Sequence, residues 1–89
     1  MVASQGTWPD WWDWELDVSN PHLAKRMIDR GFSETDLREM LETATGLRAD
    51  APAGRWIIET SHAGRTWEVV VEPNAREQRL VVVTAYPLG

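Results

Sequence analysis

Apolar positions recur at two different periods along the chain. Between Pro21 and Gly46 the spacing is helical. Leu37, Met40, Leu41 and Ala44 fall at i, i+3, i+4 and i+7, and Leu23, Met27 and Ile28 make a shorter stripe before them. Boundary residues divide this stretch into two helices. Asn20 can cap the first, with Pro21 at its opening position, and Gly31 can end it in the left-handed region. Ser33 with Asp36 three residues on has capping-box spacing, and Phe32 with Leu37 has that of a hydrophobic staple. Gly46 is read as the close of the second helix, and Leu47 to Gly54, with Pro52 and Gly54, as a loop.

From Arg55 onward the period is two. RWIIETS, TWEVVVE and RLVVVTAY are rich in Val, Ile, Trp and Thr, as pleated strands require. Turns are expected at His62 to Arg65 and at Pro73 to Gln78. Closing the first hairpin over Ala63-Gly64 sets Ser61 opposite Thr66, Glu59 opposite Glu68 and Arg55 opposite Glu72. Trp56, Ile58, Trp67, Val69, Val71, Leu80 and Val82 then form the floor for the helices. Arg55, Ile57, Glu59, Glu68, Val70, Val81 and Val83 fall on the other face. A further short strand is expected at Trp14 to Val18, where Trp14, Leu16 and Val18 alternate with acids. The predicted class is therefore α+β: strand, helical hairpin, then a three-stranded antiparallel meander with the helices on one sheet face.

Residues 1–13 form a tryptophan-rich leader and residues 14–89 the single domain. Four of the six tryptophans (Trp8, Trp11, Trp12 and Trp14) fall within seven residues across this boundary, a cluster too apolar to face water alone. They pack either on the domain or on a partner such as a second copy.

Composition narrows the function. Eighty-nine residues make one small domain, and a net charge of −5 opposes non-specific grip on a nucleic acid backbone. There is no cysteine, which fits a reducing cytoplasm, and no apolar run of membrane-spanning length. His22 and His62 lack metal-ligand spacing, and no glycine-rich phosphate loop exists, so neither metal nor cofactor is expected.

What remains is a metal-free acid–base set. His22, Arg26 and Arg30 lie at i, i+4 and i+8 on the first helix, either a solvated face or a donor strip for a phosphate or carboxylate. Arg55 and Arg65 flank the first hairpin, either as ordinary strand-end charge or to hold an anion through two hydrogen bonds each. Glu59 opposite Glu68 is a like-charge pair that needs a cation, a shared proton or a function. Thr84 and Tyr86 bring two hydroxyls to the last strand, for packing or for chemistry.

The segments PHLAKRMIDRGFSETDLREML, GRWIIET, WEVVVEP and VVVTAYP resemble small bacterial domains related to the RelE and BrnT toxins, over Leu16 to Pro87. The resemblance implies a small antiparallel sheet backed by an N-terminal helical hairpin, metal-independent RNA cleavage, and an antitoxin partner. It further implies His22 as general acid or base, and Arg55 assisted by Arg26 on the scissile phosphate. Tyr86 would stack or move a proton, Thr84 would position it, and Glu59 and Glu68 would orient His22 or the arginines. Two features fall outside the pattern: the acidic charge and the tryptophan-rich leader. The alternative to a toxin-type ribonuclease is a non-catalytic interaction or dimerisation module on the same fold.

Overall fold

The computed structural model describes residues 8–88. Its elements are a 3-10 turn at Asp10–Asp13, β1 (Glu15–Asp17), α1 (Pro21–Arg30), α2 (Glu34–Glu42), β2 (Gly46–Ala49), β3 (Trp56–His62), β4 (Arg65–Asn74) and β5 (Arg79–Leu88). They build an α+β domain with one five-stranded sheet in the order β1-β5-β4-β3-β2. No helix among the described residues is long and apolar enough to cross a membrane.

The helix signals act as their chemistry requires. Asn20 accepts a hydrogen bond from the His22 N–H, and Gly31 ends α1 at φ 68°, ψ 48°. Both halves of the Ser33–Asp36 capping box form. Leu23, Leu37, Met40 and Ala44 are buried against Ile58, Val69, Val71, Leu80 and Val82 on one face of the sheet. The Met40 carbonyl, an orphan acceptor at the end of α2, takes the hydroxyl proton of Thr60 on β3. Ile28, expected to help bury α1, is instead 83% exposed. On a helix ending at Arg30, Leu23 and Met27 already cover the sheet-facing stripe.

The register of the first hairpin is as expected: Glu59 faces Glu68, Ser61 faces Thr66, and His62 faces Arg65 across a two-residue turn. Ala63 and Gly64 both have positive φ (51° and 78°), the backbone that a tight antiparallel hairpin needs.

The meander is larger than three strands. Gly46 does not close α2, whose cap is Thr43; it begins β2, which pairs antiparallel with β3 from Gly46↔Glu59 to Ala49↔Trp56. The stretch expected to be a loop thus holds an edge strand. At the other edge β1, one residue shorter at each end than expected, runs parallel to β5.

A second departure lies inside β5. Val70 pairs with Thr84 but Val71 with Val82, leaving Val83 as an extra, bulged residue. Strict alternation from Leu80 and Val82 would carry Thr84 and Tyr86 onto the helix-covered face. The bulge reverses the alternation. Ala85 enters the core, and Thr84 and Tyr86 turn to the open face.

Part of the tryptophan-rich leader lies outside the described residues. Its described part packs on the domain. Trp8, Trp11, Trp12 and Trp14 lie half-buried against the core, and Trp11 meets Trp56 with ring centroids 5.9 Å apart.

Candidate functional site

Asn20, the α1 residues and the bulged part of β5 border an open cleft of about 460 Å³. Its walls are Asn20, His22, Arg26 and Arg30 from the start and face of α1, Val83, Thr84 and Tyr86 from β5, and Arg55 from the lead into β3. Helical periodicity places the first set, since i, i+4 and i+8 share one face. The bulge supplies the second by turning Thr84 and Tyr86 away from the core. Among the described residues no carboxylate lines this cleft, although the chain carries 14 acids against 9 Lys and Arg. Such a surface favours an anion.

The side chains there differ in freedom. Arg30 donates from Nη1 to the Ala85 carbonyl (2.9 Å) and to Thr84 Oγ1 (3.3 Å), so it ties α1 to β5 as well as lining the cleft. Arg26 lies 3.6 Å from Asp29, a half-exposed pair of little energetic weight. Arg55 donates from Nε to Glu72 Oε1 at 3.2 Å, which leaves its terminal nitrogens for another acceptor. Among the described residues, no side-chain hydrogen bond engages the His22 ring.

Tyr86 connects the cleft to a second group on the open sheet face. Its hydroxyl donates to Glu68 Oε1 at 2.7 Å, and Arg48 of β2 donates to Glu68 Oε2 at 2.8 Å. Arg48 also bonds Glu59 through its other terminal nitrogen. The opposed glutamates are therefore bridged by a cation from β2, within the stretch expected to be a loop. The hydrogen bonds from Arg48 and Tyr86 hold the Glu68 carboxyl below the usual glutamate range. Burial, then the anion at Glu68, push the Tyr86 phenol above its ordinary value. The phenolic proton is thus held toward Glu68, and Tyr86 offers the cleft a ring and oxygen lone pairs rather than an acid.

Of the residues singled out from the sequence, His22, Arg26, Arg55, Thr84 and Tyr86 meet in the cleft, and Arg30 with them. Glu59 and Glu68 do not line it. They are engaged by Arg48, not by His22 or the cleft arginines, and Glu68 reaches the site only through Tyr86. Arg65 lies at the hairpin turn, at the opposite end of β3 from Arg55.

The fold also gathers Asp36, Glu39 and His62, each offering one ligand atom within 4.8 Å of the others. Sequence spacing hides this trio because His62 comes from β3. It sits on the helix side near the hairpin turn, with His62 Nε2 4.0 Å from Asp36 Oδ1, apart from the cleft. Asp36 Oδ2 meanwhile accepts the Ser33 N–H as part of the helix cap.

Fold and cleft define a small α+β domain whose first helix and bulged last strand border an open arginine- and histidine-lined groove. The family model described as domain of unknown function DUF4258 matches residues 20–87, and the chain belongs to that family. The match begins at the cap of α1 and ends in β5, so it spans every residue of the cleft. Neither the comparison with curated proteins nor that with solved structures gives a match.

Proposed function

We propose that the cleft binds an RNA phosphodiester and that the domain is a toxin-type, metal-independent ribonuclease restrained by a cognate antitoxin. The observation that carries this reading is the meeting of His22, Arg26, Arg30 and Arg55 in an acid-free cleft on an otherwise acidic chain. In-line attack by a ribose 2′-hydroxyl needs a base for its proton and positive groups beside the developing charge. His22 takes the 2′-hydroxyl proton as the P–O2′ bond forms. The P–O5′ bond breaks, leaving a 2′,3′-cyclic phosphate and a 5′-oxygen that takes its proton from water or from the His22 imidazolium. Arg55 and Arg26 meet the phosphate oxygens, with Arg30 fixing the helix against the strand. Tyr86, its proton committed to Glu68, stacks on a base or orients the nucleophile. The localised charge suits one or two phosphates rather than a long backbone track.

The test is incubation of the purified protein with single-stranded RNA in excess chelator, together with induction in cells. Cleavage and growth arrest that are abolished by His22→Ala and by Arg55→Ala support the reading. Well-expressed, folded protein that neither binds nor cuts RNA overturns it. A second reading, an interaction module without catalysis, draws on the half-buried tryptophans around Trp11 and Trp56. It requires RNA-independent capture of a protein partner or self-association that substitutions at these tryptophans abolish.

A further inference from the structure

Beside the cationic cleft lies a second, of about 480 Å³, and the two share Asn20, Arg55 and Val83. The two adjoin on the open sheet face, and Arg55 lines both. The second part differs in chemistry. Its apolar floor is Val81 and Val83, and its polar groups are Glu72, Asn74 and Asn20. Glu72 and Asn74 are two apart on β4 and so share a face of the sheet.

The hydrogen bonds already made fix what each group can offer. The Glu77 N–H donates to Asn74 Oδ1 (3.2 Å), so the Asn74 carboxamide presents its NH2, a donor. The Glu72 carboxylate is an acceptor-only group, and Arg55 engages only its Oε1. A base edge read here must therefore place an acceptor at Asn74 and N–H donors at Glu72. Guanine does so, with O6 at Asn74 and the N1–H and N2 amino group at Glu72. Adenine and cytosine place an amino donor where guanine has O6. Uracil turns the lone pairs of O2 toward the carboxylate. Arg55 lines both parts, so its guanidinium can stack on a base in one and meet the neighbouring phosphate in the other.

We propose that this second part of the groove is a guanine-selective subsite, with Glu72 and Asn74 as its specificity-determining residues. The assignment rests on reading the cationic cleft as the phosphodiester site. It goes further by naming the nucleotide that lies next to the phosphate. Arg55 itself is tethered to Glu72 through Nε.

The test measures binding of short single-stranded RNAs that are identical except for one central nucleotide, G, A, U or C, and are 2′-O-methylated there to block cleavage. The wild-type chain is expected to bind the G-containing RNA roughly tenfold or more tightly than the others. Glu72→Gln and Asn74→Asp are expected to erase that preference, with affinity for the A, U and C RNAs nearly unchanged. If Glu72 only tethered Arg55, its substitution would shift all of the RNAs alike. Equal affinity for all bases in the wild-type chain, or a guanine preference that both substitutions leave intact, overturns the subsite and spares the phosphate reading. Failure to bind any of the RNAs overturns both.

Discussion

Tyr86 donates its phenolic proton to Glu68 at 2.7 Å, and the two stand directly opposite each other on β5 and β4. Tyr86 is the one tyrosine of the chain, so its titration can be followed without overlap. Burial and the Glu68 anion both favour the neutral phenol. The expected ultraviolet titration has its midpoint above the ~10 of a free tyrosine, and Glu68→Gln is expected to lower it part of the way. Because the folded value is raised, this contribution to stability is present below the free-tyrosine pKa. It is lost as pH climbs through the folded value.

Glu68 gives the opposite dependence on the acid side. Its carboxyl is held low by Arg48 and Tyr86, so the folded state prefers the anion more than the unfolded chain does. That stability is complete above the ordinary glutamate pKa of ~4.3 and is lost as pH falls through the lower folded value. Denaturant titrations across this window are expected to show a shallower acid limb in Glu68→Gln than in the parent.

Removing Arg48 should expose the repulsion it neutralises. Arg48→Ala leaves Glu59 and Glu68 opposed without a cation. A lower Tm is expected, with part of the loss recovered when Glu59→Gln is added. Additive effects of the two changes would show that the bridge carries no coupling.

Glycines at two positions separate backbone from side-chain effects. Gly31 has φ 68° with open space around a would-be Cβ, so Gly31→Ala should cost about 1 kcal/mol from the left-handed backbone alone. At Gly46 the backbone is ordinary, but a Cβ meets the Glu59 carboxylate. Gly46→Ala is expected to push Glu59 off Arg48 and to reproduce the thermal shift of Glu59→Gln, as read by calorimetry.

In the core, Met40 is fully buried between α2 and the sheet. Met40→Ala is expected to destabilise by about 2–5 kcal/mol in denaturant unfolding.

The helical hairpin was legible because its signals are local. Asn20, Gly31, Ser33 and Asp36 each act within a few residues, and the stripe from Leu37 to Ala44 needs only the period of a helix. The first hairpin was legible for the same reason, its register following from a two-residue turn. Arg48 was not. GLRA is too short to show alternation, and its role comes from pairing with β3 eleven residues on. Nor was the bulge at Val83, since VVV reads alike on either face and only Ala85 entering the core reveals the shift. The gathering of His22, Arg55 and Tyr86 depends on that bulge. Asp36, Glu39 and His62 likewise meet only through tertiary contact.

The parallel pairing of β1 with β5 joins positions more than sixty residues apart, Glu15 with Arg79 and Asp17 with Val81. It sets an order of assembly during synthesis. The helical hairpin and the β3–β4 hairpin can form as soon as they emerge, because their contacts are local. The cleft cannot, for Val83, Thr84 and Tyr86 are made after its other residues and Arg30 has no strand to grip until they arrive. A nascent chain therefore carries its cationic helix without a finished groove, and translation through β5 is the step that completes the site.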